Sequence, residues 1–273
     1  MRAIDYFDRG HDRDPSRLAI IDTESGLKLT FAEVKALTER IAAAMQQHGF
    51  QSQDLLGLYG PNDGMLLVVL LAMWRANGKW IPVNTRNAID ANAGYINYVR
   101  CQWMFYHSSK ADEVAQLRAL CPTLQHFVCL DQRVGDDPSL EEFMAGVSAA
   151  DFVEPEIDAF GNMMELVGIF PTGGTTGPSK GANVTNLGWG TMIETAADAM
   201  GGRTDSPVAL VASFSATVDE DGLAGGNLGG TGDAAATLPS ASGTVTGLFS
   251  VGADTPLSYS LGVSTAGLPA LSS

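Results

Sequence analysis

Residues 170–181 read FPTGGTTGPSKG, the stretch in which groups suited to binding chemistry are most concentrated. Its glycines let consecutive backbone N–H groups turn toward one point, its threonine and serine hydroxyls add neutral donors, and Lys180 supplies a mobile positive charge. An apolar run at 166–170 precedes it, and a helix-compatible segment at 186–200 follows. The pattern therefore predicts a phosphate-binding loop in the order strand, glycine loop, helix.

The spacing of this loop excludes two common nucleotide-binding motifs. Lys180 is preceded by Ser179 and followed by Gly181, so the motif G-x-x-x-x-G-K-S/T is not satisfied. The glycines at 173, 174 and 177 also lack the spacing of the dinucleotide motif G-x-G-x-x-G. A glycine- and threonine-rich surface turn that binds nothing is the alternative interpretation of the same residues.

The loop resembles the signature T/S-S/G-G-T/S-T/S-G-x-P-K-G of the AMP-forming adenylating enzymes, which include acyl-CoA synthetases. The matching positions are Thr172, Gly174, Thr175, Thr176, Gly177, Lys180 and Gly181. Gly173 stands where serine is common, and Ser179 replaces the proline, which has moved to position 178. The loop is thus a variant of the family signature.

This resemblance implies a reaction and its cofactors. A carboxylic acid attacks the α-phosphate of ATP, pyrophosphate leaves, and the acyl-adenylate is captured by coenzyme A, with Mg²⁺ accompanying the nucleotide. The resemblance assigns ATP binding to Thr172, Gly173, Gly174, Thr175, Thr176, Gly177 and Lys180. Lys180 is also the predicted catalytic residue, because its charge would stabilise the departing pyrophosphate.

The first half of the chain predicts an α/β fold with a parallel sheet covered by helices on both faces. Thr30 and Glu33 form a capping box, and apolar residues follow at helical spacing until Gly49. Other helices are predicted at 65–74 and 111–120, and strands at 55–59, 80–84, 103–107, 126–130 and 166–170. The same family resemblance extends over about residues 10–212 and implies part of the large N-terminal domain of an AMP-binding ligase.

Several motifs that the family carries after the loop have no counterpart here. These are the aromatic-Gly-x-Thr-Glu motif that helps to hold magnesium, the basic hinge, and the C-terminal lid with its lysine. A Thr231-Gly232-Asp233 match to a ribose-binding motif is attributed to chance, because it lies too close to the loop. We therefore expect a truncated enzyme that releases little or no pyrophosphate.

Composition changes after the segment 207–212, which is predicted to be a strand of the first domain. Residues 213–273 contain no lysine, arginine, methionine, tryptophan, cysteine or histidine and are rich in glycine, alanine, serine and threonine. The domains are accordingly predicted as 1–212, the truncated AMP-binding domain, and 213–273, a β or disordered tail that resembles repeats of large type I-secreted bacterial adhesins. The alternative function is a non-enzymatic chimeric fragment, with the acidic residues 219–221 either binding calcium or forming a solvated turn.

Charge and composition limit the partners. A net charge of −15 argues against nucleic acid and anionic membranes, and the apolar run 65–74 is too short to span a bilayer. Cys101, Cys121 and Cys129 fit neither a redox nor a zinc motif, and the four histidines show no ligand pairing, so no metal site is predicted. Free thiols and an N-terminus without a signal peptide predict a cytoplasmic protein whose partner is a small carboxylic acid.

Overall fold

A computed structural model describes residues 1–172 and 180–199 of the chain. They form a unit over Met1–Ile193 and the beginning of a second unit, Glu194–Ser273. The helices are α1 (Ala3–Arg13), α2 (Phe31–Gln47), α3 (Gly64–Arg75), α4 (Ile89–Val99), α5 (Ala111–Leu120), α6 (Leu140–Phe143) and α7 (Asn186–Ala199). The strands are β1 (Leu18–Ile21), β2 (Lys28–Thr30), β3 (Leu55–Tyr59), β4 (Lys79–Pro82), β5 (Trp103–Tyr106), β6 (His126–Cys129), β7 (Leu166–Thr172) and β8 (Lys180–Thr185).

The first unit is built on a six-stranded sheet with the order β6-β5-β3-β4-β7-β8. Strands β6, β5, β3, β4 and β7 are parallel, and β8 pairs antiparallel with β7. A separate antiparallel hairpin is formed by β1 and β2. The predicted α/β class with a parallel sheet is confirmed.

Helices cover both faces of this sheet, as the sequence predicts. Leu56, Phe105 and Val128 pack on one face in a core shared with α2 and α3. On the other face, Met104 and Cys129 join a core that includes residues of α4 and α5. Because successive strand residues point to opposite faces, strands buried on both sides are apolar nearly throughout.

The N-terminus of α2 confirms the predicted capping box. Thr30 Oγ1 accepts a hydrogen bond from the backbone N–H of Glu33 at 3.2 Å, and the Thr30 N–H donates to Glu33 Oε2 at 2.8 Å. These bonds satisfy donors that the first helical turn leaves without partners. Just beyond the helix, Gly49 has a φ of +95°, a backbone conformation that favours glycine.

A buried ion pair joins α1 to α3. Arg75 is 2% exposed, and its two terminal nitrogens donate to the carboxylate oxygens of Asp8 at 2.7 and 3.0 Å. Its Nε donates to Thr38 Oγ1 on α2 at 3.1 Å. One guanidinium therefore ties together three helices that lie on the same side of the sheet.

The order of elements around the glycine loop differs from the predicted order. Strand β8 lies between the loop and α7, so the observed order is strand, loop, strand, helix. The flanking residues 170–172 and 180–181 belong to β7 and β8, which leaves 173–179 between the strands. Gly181 and Asn183 have low strand propensity, and the ladder with β7 overrides it.

Two other findings bear on the sequence predictions. Within residues 1–172 and 180–199, no helix is long and apolar enough to cross a membrane. The predicted strand at 207–212, the tail at 213–273 and its acidic residues lie outside the described residues.

Candidate functional site

The candidate site is built at the ends of the β7–β8 hairpin. Thr172 is the last residue of β7 and pairs with Lys180, the first residue of β8. Thr172 Oγ1 donates a hydrogen bond to the Lys180 backbone oxygen at 3.2 Å, and both residues are exposed. Thr172 therefore lies directly beside the backbone of Lys180 in the described structure.

Five predicted loop residues, Gly173, Gly174, Thr175, Thr176 and Gly177, lie outside the described residues. Their assignment to the nucleotide site stays a prediction. The described structure fixes the two residues between which the loop sequence runs.

Sheet topology places this hairpin where α/β proteins bind ligands. Thr172 ends a strand that runs parallel to β4, β3, β5 and β6, so it lies at the edge formed by the carboxyl ends of these strands. Open α/β sheets bind their ligands outside that edge. A phosphate ligand at this edge would lie near two exposed residues, Thr172 and Lys180.

An aromatic cluster anchors the strand that leads into the site. The Phe170 ring lies 5.3 Å from the Trp80 ring and 6.0 Å from the Trp189 ring, measured between centroids. The indole N–H of Trp74 donates to the Val167 oxygen at 2.9 Å in a buried position. Residues of α3, β4 and α7 thus hold β7 from one face of the sheet.

The other face holds the same strand through Tyr95 on α4. The Tyr95 hydroxyl donates to the Ile169 backbone oxygen at 2.5 Å. Burial raises the pKa of Tyr95 to about 12, so the hydroxyl remains a donor at neutral pH. A tyrosine in a helix carries no sequence signal of a contact with residue 169, so this residue was not predicted.

Polar residues that follow β5 and β6 serve local structure. The Asp131 carboxylate accepts from the Ser108 N–H at 2.9 Å and from the Ser108 hydroxyl at 2.5 Å. Burial acts to raise the pKa of Asp131, but these hydrogen bonds outweigh it and hold the pKa below its usual value. His107 begins a short 3-10 helix by accepting from the Ser109 N–H at 3.1 Å.

The cysteines are unsuited to nucleophilic chemistry. Cys101, Cys121 and Cys129 are buried and unpaired with one another. Burial raises the pKa of Cys101 to about 12 and that of Cys121 to about 11, which keeps both thiols protonated. They pack as small apolar side chains.

A cavity of about 520 Å³ lies at the opposite edge of the sheet. Its lining includes Ser52, Ala76 and Glu165, which come just before β3, β4 and β7. Its other acidic residues are Glu154, Glu156 and Asp158. Glu154 is paired with Arg2, and the other three carboxylates would repel a triphosphate, so this cavity is a poor candidate for the nucleotide site.

Comparison with known proteins gives evidence on the family of this chain. The family described as AMP-binding enzyme matches residues 7–218. The mitochondrial medium-chain acyl-CoA ligase ACSF2 of Macaca fascicularis is 24% identical over 194 residues, which are 64% of this chain and 31% of the relative. The mitochondrial acetyl-coenzyme A synthetase 2-like protein of Homo sapiens is 24% identical over 206 residues, which are 68% of this chain and 29% of that protein.

Solved structures support the fold. The long-chain-fatty-acid-CoA ligase FadD1 of Archaeoglobus fulgidus superimposes with a TM-score of 0.64 at 19% identity, covering 74% of this chain and 40% of that structure. The chain spans about a third of the length of the curated relatives it matches.

Proposed function

We propose, because this chain belongs to the AMP-binding enzyme family, that it is the nucleotide-binding part of an acyl-CoA ligase that activates a carboxylic acid as its acyl-adenylate. The observation that carries the proposal is the pairing of Thr172 with Lys180 at the carboxyl edge of the parallel sheet. Acyl-CoA ligases of this family use ATP, Mg²⁺ and coenzyme A. ATP would place its β- and γ-phosphates against the hairpin ends.

In this reaction a carboxylate oxygen forms a bond to the α-phosphorus of ATP, and the bond from that phosphorus to the bridging oxygen breaks. Pyrophosphate leaves with the electron pair and the negative charge. Lys180 would stabilise that charge, the Thr172 hydroxyl would donate to a phosphate oxygen in place of the Lys180 backbone oxygen, and the N–H groups of the predicted residues 173–177 would add further donors. The acyl-adenylate would then pass its acyl group to the thiol of coenzyme A and release AMP.

Magnesium has no assigned protein ligands in this proposal. Residues 1–172 and 180–199 contain no group of three histidine, cysteine, aspartate or glutamate side chains arranged to hold a metal ion. Mg²⁺ commonly binds substrate phosphates and keeps several waters. No step is therefore assigned to a metal held by the described residues.

The acyl group that would be activated is proposed only as a class, a small carboxylic acid. The relatives bear names that refer to acetyl, medium-chain and long-chain acids, and no single chain length is common to them. The cytoplasm remains the predicted location, since ATP, coenzyme A and reduced thiols occur there.

The domain boundary also remains a proposal. We place it at 212/213, where the composition changes, and the family match ends shortly beyond it at residue 218. The resemblance of residues 213–273 to adhesin repeats, with calcium or a solvated turn at 219–221, is likewise retained as a prediction.

Replacing Lys180 tests the proposed nucleotide site. Lys180→Ala should weaken ATP binding about tenfold, the loss expected for one hydrogen bond to a charged group. Calorimetric titration of the full chain with ATP measures this change. Lys28→Ala is the matched control, because Lys28 is also exposed and begins a strand of the separate β1–β2 hairpin. Equal ATP affinity for the wild type and Lys180→Ala would contradict the assignment.

A further inference from the structure

Strand β7 loses its partner on one side before it reaches the candidate site. It pairs with β4 at one position, Trp80↔Gly168, whereas its ladder with β8 continues from Leu166 to Thr172. Pro82 comes two residues after Trp80, and Pro171 comes three residues after Gly168. Proline has no backbone N–H, so neither residue can donate a hydrogen bond to extend the β4–β7 ladder.

The Tyr95 hydroxyl provides a donor to the strand at this point. It lies on α4, 74 residues before Ile169, and donates to the Ile169 oxygen at 2.5 Å. The residue is 6% exposed, so water does not compete freely for the bond. A side chain thus bonds β7 just beyond the pair at which the backbone ladder with β4 stops.

Packing against β8 leaves Ile169 little room to move. A Cβ atom at Gly181 would lie 2.6 Å from Ile169 Cγ2. Gly181 pairs with Pro171 and is followed along the ladder by the pair of Ala182 with Phe170. A shift of Ile169 would therefore be passed to β8 through close packing.

We propose that Tyr95 is a positioning residue for phosphate binding: its hydroxyl holds Ile169, three residues before Thr172, and so fixes the relative placement of Thr172 and Lys180. This inference rests on the proposed function of the hairpin. Tyr95 touches strand β7 and acts on the ligand only through it.

The test compares two tyrosine variants in the full chain. Tyr95→Phe removes the bond to Ile169. Tyr106 lies on β5, next to the edge strand β6 and two strands away from β4, and Tyr106→Phe removes its buried hydroxyl, which donates to Asp137 at 2.7 Å. Both denaturation midpoints should fall, because each variant loses one buried hydrogen bond. ATP affinity should fall about fivefold in Tyr95→Phe, within the range for one lost hydrogen bond, and stay unchanged in Tyr106→Phe.

A second measurement needs no variant. In wild-type protein with ¹³C at the tyrosine ζ carbon, saturating ATP should shift the Tyr95 signal and leave that of Tyr106 in place. This readout decides the question even if Tyr95→Phe does not fold.

Failure of the Tyr95 inference can be distinguished from failure of the proposed function. Equal ATP affinity in Tyr95→Phe and wild type would overturn the positioning role and leave the proposed function standing. A Tyr95 chemical shift that does not change when ATP binds would have the same consequence. A wild-type chain that binds no ATP would overturn both.

Discussion

Asp8→Ala is expected to lower the free energy of unfolding by about 3–5 kcal/mol, the cost of leaving one partner of a buried ion pair without its counter-charge. Arg75 is 2% exposed, and its Nη2 lies 2.7 Å from Asp8 Oδ1. Without Asp8, the guanidinium keeps its bond to Thr38 but remains buried with its charge uncompensated. Urea denaturation followed by far-ultraviolet circular dichroism measures the loss.

A double variant separates this charge effect from the docking of α1. Asp8→Ala combined with Arg75→Met removes both charges and replaces the guanidinium with an apolar side chain. Because a hydrophobic replacement of a buried ion pair is often neutral or stabilising, the double variant should be more stable than Asp8→Ala alone. If both are equally unstable, the contribution of Asp8 does not come from the buried charge of Arg75.

Gly168→Ala should destabilise the chain by about 2 kcal/mol, within the range for an extra methyl group forced into a packed core. A Cβ atom at this position would lie 2.7 Å from the Trp80 backbone oxygen, which cannot move without displacing β4. Trp80↔Gly168 is the pair at which β4 meets β7. We therefore expect the same change to weaken ATP binding, since it would displace the strand that carries Thr172.

Gly94→Ala is the matched control for this prediction. Gly94 lies in α4, is exposed, and has no atom within 4 Å of the position that a Cβ would occupy. Alanine in a helix is favoured over glycine by up to about 1 kcal/mol, so this variant should be as stable as the wild type or more stable. Thermal unfolding monitored by calorimetry compares the two. A Gly168→Ala protein with wild-type stability would mean that β4 and β7 are not held as closely as described.

The sequence predicted those elements whose signals are local. Helix α2 carries its own capping box and an apolar stripe, and β3 and β5 are apolar runs of the short length that is typical of buried strands. Their alternation predicted a parallel sheet, which the structure confirms. These segments share one property: the preferred local conformation agrees with the final packing.

The elements that the sequence analysis missed depend on distant contacts. Helix α4 contains Asn92, Gly94 and Asn97, residues of low helix propensity, and it is stabilised by burying Ala93 and Ile96 against the sheet. Strand β8 is stabilised by its antiparallel pairing with β7. Neither effect can be found within a short window of sequence.

Only part of the candidate site was predicted, because some of its contacts join residues that are far apart in the sequence. Thr172 and Lys180 were identified by composition and resemblance, and the structure brings these two together. Tyr95 was missed because its contact with Ile169 spans 74 residues. Pro82 and Pro171 do carry a readable signal, since each marks a place where a backbone donor is absent and another must substitute.

The most direct test of the account is to locate ATP on the wild-type chain by amide-resolved NMR. We predict that ATP shifts the backbone signals of Thr172 and Lys180 at the carboxyl edge of the sheet. Signals of Gln51 and Glu165, which line the acidic cavity at the opposite edge, should stay in place. Shifts confined to that cavity, or no shifts at all with saturating ATP, would contradict the claim that the β7–β8 hairpin binds the nucleotide.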